Sequence, residues 1–134
     1  MSEVRYLTRE DILAYHSADF LRRGLTPAPV ISEEKLSAAI ERPKLTAFGD
    51  DAYPTLAQKA AAILQSLVIG HPFLDGNKRV GLGACLLFLE LNGIDRRADQ
   101  RALVDLVLGI ARGDLREVDE IAGRLRRLFA TDVE

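Results

Sequence analysis

Apolar residues recur at every third or fourth position through most of the chain, which is the spacing of α-helices that bury one face. The first predicted helix begins at Thr8, whose hydroxyl can cap it, and ends at Gly24. Residues 25–31 carry two prolines and predict a loop. A second, shorter helix is predicted to begin at Ser32 and to stop at Pro43.

The next two helices are the most apolar. Thr55 and Gln58 form a capping box ahead of the third helix, which is predicted to end at Gly70. The fourth is predicted to begin near Gly76 and to extend to about Leu91. A short polar segment joins the two.

Two further helices complete the pattern. Asp99 is predicted to open the fifth and Gly113 to close it, and Asp114 with Glu117 is predicted to begin the sixth. The stripe of the sixth is Leu115, Val118, Ile121, Leu125 and Leu128. Residues 44–54 have no helical period and predict a loop, or at most a short hairpin flap.

Length and composition agree with one all-α domain over residues 1–134, built from about six helices with short connections. Apolar residues make up 48% and charged residues 28%, which excludes a disordered chain and a coiled-coil rod. The net charge of −2 gives no global field that would favour nucleic acid or an anionic membrane. We therefore expect neither as a direct partner.

Cysteine, histidine and hydropathy exclude further classes. A single cysteine, Cys85, excludes an internal disulfide and every multi-cysteine metal site, and with only two histidines a His/Cys metal site is not expected. The longest apolar stretch, Leu82–Leu91, contains Glu90 and is too short to cross a bilayer. The first residues do not resemble a signal peptide. We expect a cytoplasmic protein.

The polar segment between the third and fourth helices is the candidate for chemistry. It contains the nine residues His71-Pro72-Phe73-Leu74-Asp75-Gly76-Asn77-Lys78-Arg79. A helix that starts near Gly76 presents unpaired N–H groups and a partial positive charge, and such an end binds phosphate. Lys78 and Arg79 add two positive charges, and an arginine can pair with phosphate in bidentate fashion.

Two more residues supply what a transfer reaction needs. Asp75 is a hard oxygen ligand suited to Mg²⁺. His71 can accept a proton from an attacking hydroxyl near neutral pH. Together the segment predicts phosphoryl or nucleotidyl transfer. Taken singly, the same residues are ordinary turn, cap and surface chemistry; their conjunction within nine residues favours a site.

The nine-residue segment resembles the Fic/Doc signature, in the form found in death-on-curing (Doc) toxins of type II toxin–antitoxin systems. The resemblance extends through Tyr6-Leu7-Thr8-Arg9-Glu10-Asp11, Ala52-Tyr53-Pro54-Thr55-Leu56, Lys59-Ala60-Ala61 and Phe88-Leu89-Glu90-Leu91-Asn92-Gly93. It implies an all-helical Fic fold and an ATP-dependent transferase that acts on a protein hydroxyl.

The resemblance also implies a role for each motif residue. His71 takes the role of general base, and Asp75 that of the Mg²⁺ and phosphate residue. Asn77 and Arg79 take the role of phosphate contacts, and Gly76 lends backbone N–H groups. Phe73, by its apolar character, is expected to anchor the loop in the core.

Two departures separate this sequence from typical AMP-transferring Fic proteins. Those proteins have glycine at the position of Lys78 and a second arginine at the position of Leu82. Lys78 matches the Doc pattern instead, which adds it to the expected catalytic and ATP-binding residues. The resemblance to Doc implies a kinase that modifies a threonine of elongation factor Tu and arrests translation, with the nucleotide reversed so that the γ-phosphate lies where Fic enzymes hold the α-phosphate.

Two alternatives stay open at this point: transfer of AMP from the same site, and a non-catalytic Fic-fold binding module. The resemblance further implies a cognate antitoxin whose disordered tail folds as a helix in a surface groove.

Other residues are weaker candidates. His16 is expected to have a structural role, and Cys85 to be inert packing. Phe48-Gly49 and Tyr53 lie in the segment that serves as a docking flap in the family, with ordinary loop packing as the alternative.

Overall fold

A computed structural model describes residues 3–95 and 97–129 of the chain. Six α-helices dominate it: α1 Arg9–Arg22, α2 Glu33–Glu41, α3 Leu56–Gly70, α4 Asn77–Leu91, α5 Gln100–Arg112 and α6 Val118–Phe129. A 3-10 turn, Arg42–Lys44, follows α2, and two-residue strands β1 Thr46–Ala47 and β2 Asp50–Asp51 form a hairpin. The prediction of an all-α architecture with six helices is confirmed.

Capping explains why the first, second, third and fifth helices begin where the sequence predicts. The side chains of Thr8, Ser32, Thr55 and Asp99 each accept a hydrogen bond from an amide in the first turn of the helix that follows. At Thr55 the box is complete, because Gln58 Oε1 also accepts from the Thr55 amide at 3.0 Å. These bonds satisfy amides that a helix leaves without internal partners.

The predicted start of the last helix is wrong by three to four residues. α6 begins at Val118, and Asp114 instead accepts a hydrogen bond from Arg112 Nε at 3.3 Å. The amide of Glu117 donates to Glu120 Oε1, so the capping interaction lies one turn later than predicted. Leu115 is still buried, although it belongs to the loop before α6.

The core is built around α3. This helix contacts α2, α4, α5 and α6, and it buries nine of its fifteen residues. Four of the buried residues are alanines (Ala57, Ala60, Ala61 and Ala62), which let the neighbouring helices approach closely. One hydrophobic cluster runs from Leu7 to Phe129. The end of α3 and the start of α4 are therefore anchored in the hydrophobic core through Val68 and Val80.

The hairpin confirms the alternative of a short flap in residues 44–54. Thr46 pairs with Asp51 and Ala47 with Asp50. Phe48 and Gly49 both have positive φ, as a two-residue hairpin turn requires, and the Phe48 ring is fully exposed. Below the hairpin, the buried ammonium of Lys59 donates to the carbonyl of Tyr53 and, at 3.2 Å, to Asp51 Oδ2.

Within residues 3–95 and 97–129, none of the helices is both long and apolar enough to span a membrane.

Candidate active site

The connection between α3 and α4 turns sharply at both ends. His71 terminates α3 with φ 51° and ψ 57°, a left-handed conformation that is uncommon outside glycine. Gly76 precedes α4 with φ 85°, and a Cβ at this position would lie 2.7 Å from the Phe20 ring and 3.2 Å from His16 Nε2. Glycine is therefore required at position 76 both by the backbone conformation and by the close approach of α1.

Asn77 holds the connection in shape. Its side-chain Nδ2 donates to the carbonyl of Phe73 at 2.8 Å, and its Oδ1 accepts from the amide of Phe73 at 3.0 Å. The residue is 7% exposed. The structure thus gives Asn77 a clear local function, the bridging of the loop, in addition to the phosphate contact that the resemblance implies.

The same Nδ2 lies 3.4 Å from Nδ1 of His71. Because Phe73 fixes the orientation of the Asn77 amide, a hydrogen bond here makes Nδ1 of His71 an acceptor and places the proton of a neutral ring on Nε2. A base that acts through Nε2 needs the other tautomer. The separation is long for a hydrogen bond, so this contact constrains the tautomer only weakly.

Phe73 and His16 support the loop from below. Phe73 is 1% exposed, as predicted for a core anchor, and its ring stacks on His16 with centroids 3.7 Å apart. His16 is buried, and its Nε2 donates to the carbonyl of Asp75 at 2.9 Å. The expected structural role of His16 is confirmed, because the imidazole satisfies a loop carbonyl and packs against two aromatic rings.

Residues 25–31 pair with the connection from the side. The amide of Leu74 donates to the carbonyl of Pro29 at 2.9 Å, and the amide of Ile31 donates to the carbonyl of Pro72 at 2.8 Å. These bonds form a one-residue antiparallel bridge between Val30 and Phe73. The connection is therefore held by backbone as well as side-chain contacts, although it has almost no regular secondary structure.

The motif side chains meet in one cleft of about 310 Å³, lined by His71, Leu74, Asp75, Gly76, Asn77, Lys78 and Arg79. The first turn of α4 forms part of its wall. Among the described residues, no side chain caps the N-terminus of α4, so its first amides stay available to an anion. The cleft can accordingly receive phosphate groups.

The residues present fit one Mg²⁺ held jointly with a nucleotide. Asp75 is exposed, and one of its oxygens, Oδ1, accepts from the Gly76 amide at 2.8 Å while the other faces no hydrogen-bond donor within the described chain. In residues 3–95 and 97–129 there is no group of three His, Cys, Asp or Glu that could hold a metal ion alone. Mg²⁺ that takes one carboxylate and completes its shell with phosphate oxygens and water suits this arrangement.

Asp19 of α1 joins the site through Arg79, and sequence reasoning missed it. Its two carboxylate oxygens accept from Arg79 Nε at 2.8 Å and from Arg79 Nη2 at 2.9 Å. Arg23 and Arg22 reach the same carboxylate at 2.9 and 3.3 Å. The hydrogen bond from Arg79 is the largest cause that lowers the pKa of Asp19 to about 2, and it also raises the pKa of Arg79.

Comparison with known proteins agrees with this geometry. A model of the Fic/DOC family matches residues 6–89, which is more than half of the chain and includes the whole cleft. The chain belongs to the Fic/DOC family. It is 42% identical over 123 residues to "Toxin Doc" of Mycolicibacterium smegmatis, with 90% of each chain covered. It is 32% identical over 128 residues to "Protein kinase doc" of Escherichia phage P1, with 96% of this chain and 98% of that protein covered.

Family membership confirms the resemblance and the all-helical Fic fold, and the structure of this Fic/DOC protein shows which predicted residues meet. His71, Asp75, Gly76, Lys78 and Arg79 line the cleft together. Asn77 also lines the cleft, although its amide is engaged by the loop. Cys85 is fully buried and burial raises the pKa of its thiol to about 12, which agrees with inert packing.

A signal for Asp19 was present in the sequence of this Fic/DOC protein. The buried stripe of α1 consists of Ile12, His16, Asp19 and Phe20, at the spacing of one helix face. Two of these four positions carry polar side chains. A carboxylate on the buried stripe of a helix requires a cation or hydrogen-bond donors as partners, and this requirement points to Asp19 from the sequence alone.

An apolar groove lies beside the cleft. It has a volume of about 360 Å³ and runs between α1, α4 and α5, lined by Tyr15, Asp19, Lys78, Arg79, Leu82, Leu86, Gln100, Val104, Val107 and Leu108. Lys78 and Arg79 line both the groove and the cleft. A molecule in the groove is therefore adjacent to any nucleotide in the cleft.

Proposed function

We propose that this Fic/DOC protein is a Doc-like toxin that acts as a protein kinase. It would transfer the γ-phosphate of ATP to a serine or threonine hydroxyl of a translation factor, with elongation factor Tu as the proposed target, and so arrest translation in the cytoplasm. The observation that carries the proposal is the convergence of His71, Asp75 and the uncapped first turn of α4 in one cleft. The names of the two relatives, a toxin and a protein kinase, support it.

His71 and Asp75 have distinct tasks in the proposed reaction. The substrate oxygen bonds to the γ-phosphorus while the bond from that phosphorus to the β–γ bridging oxygen breaks, and ADP leaves. His71 accepts the hydroxyl proton, for which its ring is exposed at the edge of the cleft. Asp75 offers a carboxylate oxygen to Mg²⁺, which supplies charge neutralisation at the phosphates when bound.

The first turn of α4 and its two cations hold the phosphates. The backbone amides after Gly76 belong to residues that line the cleft and accept no side-chain cap, and the positive end of the helix dipole lies at the same place. Lys78 and Arg79 are exposed at the rim of the cleft and supply positive charge that stabilises the transition state of phosphoryl transfer. Asn77 holds the loop before these amides in place by its two hydrogen bonds to the Phe73 backbone, and a phosphate contact would add to this role.

Two features favour transfer of phosphate over transfer of AMP. Lys78 stands at the position of a glycine in AMP-transferring members and contributes a charged side chain to the cleft. The position of their second arginine is Leu82, which lines the apolar groove. The longer side chain of Lys78 crowds and recharges the phosphate pocket, and Leu82 supplies no second guanidinium. Both features weaken AMP transfer, so we favour the reversed nucleotide of Doc.

The groove supports the proposal of a cognate antitoxin. Its apolar lining, with Leu82, Leu86, Val104 and Val107, suits the apolar face of an amphipathic helix. A helix bound there would lie beside Lys78 and could block the cleft. The single hydrophobic cluster from Leu7 to Phe129 supports our proposal that residues 1–134 form one domain.

The source of the transferred label tests the proposal. Purified protein and Mg²⁺ are added to a bacterial translation extract with ATP labelled at the γ- or the α-phosphate, and His71→Ala serves as the control. We expect protein-bound label from the γ-position alone, on a band of the size of elongation factor Tu, and none with His71→Ala. Label from the α-position would identify an AMP transferase, and label from neither would favour a binding module.

A further inference from the structure

The Asp19–Arg79 pair connects the inner face of α1 to the first turn of α4. The side chain of Asp19 is 6% exposed, whereas that of Arg79 is 56% exposed. The ion pair is bidentate, because both carboxylate oxygens of Asp19 accept from the one guanidinium of Arg79. The pair therefore consists of a fixed, buried anion and a cation whose outer part faces solvent.

The carboxylate uses only part of the guanidinium. An arginine has five N–H donors, and Asp19 engages one on Nε and one on Nη2. Within the described residues Arg79 makes no other hydrogen bond, so three donors remain for a ligand. Asp19 lines the groove but not the cleft, whereas Arg79 lines both. Arg79 is therefore shared by the two spaces, whereas its carboxylate partner borders only the groove.

Two further cations surround the Asp19 carboxylate. Arg22 and Arg23 also bind the Asp19 carboxylate, so three guanidinium groups share one negative charge. Arg22 and Arg23 help to balance the negative charge of Asp19, so Asp19 can fix Arg79 without cancelling the attraction of that one guanidinium for phosphate. Fixing an arginine before the ligand arrives removes the loss of side-chain entropy that binding would otherwise impose.

We propose that Asp19 is a positioning residue for the phosphate site: by holding Nε and Nη2 of Arg79, it directs the remaining guanidinium donors into the cleft for the phosphates of ATP. This inference rests on the proposed function and adds a residue of α1 to it. The opposite possibility is a latch, in which Asp19 competes with phosphate for Arg79 and must release it. The two possibilities predict opposite effects when the carboxylate is neutralised.

A double-mutant cycle separates them. Binding of ATP with Mg²⁺ is measured by calorimetry for the wild type, Asp19→Asn, Arg79→Ala and the double variant. We expect Asp19→Asn to weaken binding roughly tenfold, and to weaken it less than about twofold when Arg79 is already alanine. Arg22→Ala is the matched control, since it removes a cation from the same carboxylate without touching Arg79, and we expect its affinity within about twofold of wild type.

Each other result overturns the inference. Unchanged affinity in Asp19→Asn would show that the carboxylate is dispensable, and tighter binding would show a latch. Equal weakening in both backgrounds would show that Asp19 does not act through Arg79. If the wild type bound no ATP with Mg²⁺, the proposed function would fail and this inference with it, whereas a wild type that binds with an unaffected Asp19→Asn would contradict the inference alone.

A measurement on the wild type keeps the test independent of whether the variants fold. The Nε–H resonance of Arg79, assigned by through-bond experiments on the wild type, should exchange slowly with water and should stay protected when ATP and Mg²⁺ are added. Loss of that protection on binding would mean that phosphate displaces Asp19, and the positioning role would be wrong.

Discussion

α3 and α4 share one hydrophobic core, but their N-termini are capped in different ways. α3 begins with a complete capping box, in which Thr55 and Gln58 satisfy each other's amides. α4 begins after Gly76 in a left-handed conformation, and in the described structure no side chain caps it. Where side chains of the helix already accept hydrogen bonds from the first-turn amides, those amides are not available to an anion. The uncapped N-terminus of α4, called the open end below, is the one that lines the cleft, and the N-terminus of α3 is the capped end. This difference identifies the start of α4 as the candidate phosphate site.

Leaving the end of α4 open has a structural consequence, because the loop before it must be held by other means. Asn77 bridges the loop through the backbone of Phe73, and His16 binds the carbonyl of Asp75. Asp19 fixes Arg79 from α1. These contacts stabilise the first turn of α4 without using its backbone amides. The loop is therefore held in place while the amides that follow Gly76 stay available to a ligand.

The largest expected effect comes from the base at the open end. His71→Asn, which keeps a side chain tolerant of the left-handed backbone, should lower the rate of phosphate transfer roughly 10²–10⁴-fold. The ring is exposed, so the thermal unfolding midpoint should change little. Initial rates and thermal unfolding are measured together. A folded variant that keeps more than about a tenth of the wild-type rate would contradict the role of His71 as base.

The second effect concerns how the open end is held. Asn77→Ala removes the two hydrogen bonds to Phe73 and leaves its buried backbone groups unpaired, which should lower the free energy of unfolding by about 2–3 kcal/mol. Denaturant titration measures the change. Thr55→Ala is the comparison, and if Asn77→Ala destabilised the protein less than that variant, the loop would not depend on this bridge.

The third effect is a pH dependence from α1. The pKa of Asp19 is lowered from 3.8 to about 2, so its ion pairs stabilise the fold fully above about pH 4 and are lost as the pH falls through 2. The difference corresponds to about 2 kcal/mol. Unfolding free energies between pH 5 and pH 2 should fall more steeply for the wild type than for Asp19→Asn. Parallel curves would show that Asp19 contributes no such linkage.

The smallest expected effect concerns the capped N-terminus of α3. Thr55→Ala removes the hydroxyl that caps α3, while the bond from the backbone amide of residue 55 to Gln58 needs no side chain at that position, and it should lower the free energy of unfolding by about 1 kcal/mol. It should leave the affinity for ATP and Mg²⁺ within about twofold of wild type, because α3 begins away from the cleft.

Lys78→Ala should do the reverse, weakening ATP binding while changing the free energy of unfolding by less than about 0.5 kcal/mol. Equal effects of both variants on ATP affinity would remove the distinction between the two helix ends.

Much of the fold was predictable because helix ends are encoded locally. The caps at Thr8, Ser32, Thr55 and Asp99 act within three residues of their own position, and the structure confirms the starts that they predict. The start of α6 was wrong for a related reason. Asp114 had a competing local partner in Arg112, and the sequence pattern does not rank the two interactions.

The grouping of the motif residues was predictable from the sequence, whereas the contacts that residues of other helices make with them were not. His71, Asp75 and Lys78 are close in sequence and needed only a turn to meet. Asp19 lies sixty residues from Arg79, and their pairing depends on how α1 packs against α4. Lys59 is a similar case, since its buried ammonium binds the hairpin ends, and only the tertiary structure supplies those acceptors.

The most direct test of the account is a crystal structure with Mg²⁺ and a non-hydrolysable ATP analogue. We expect the phosphates against the backbone amides that follow Gly76, Mg²⁺ on the carboxylate of Asp75, and the γ-phosphate as the group nearest to His71. Binding of the phosphates away from the first turn of α4 would contradict the claim that its open N-terminus is the phosphate site.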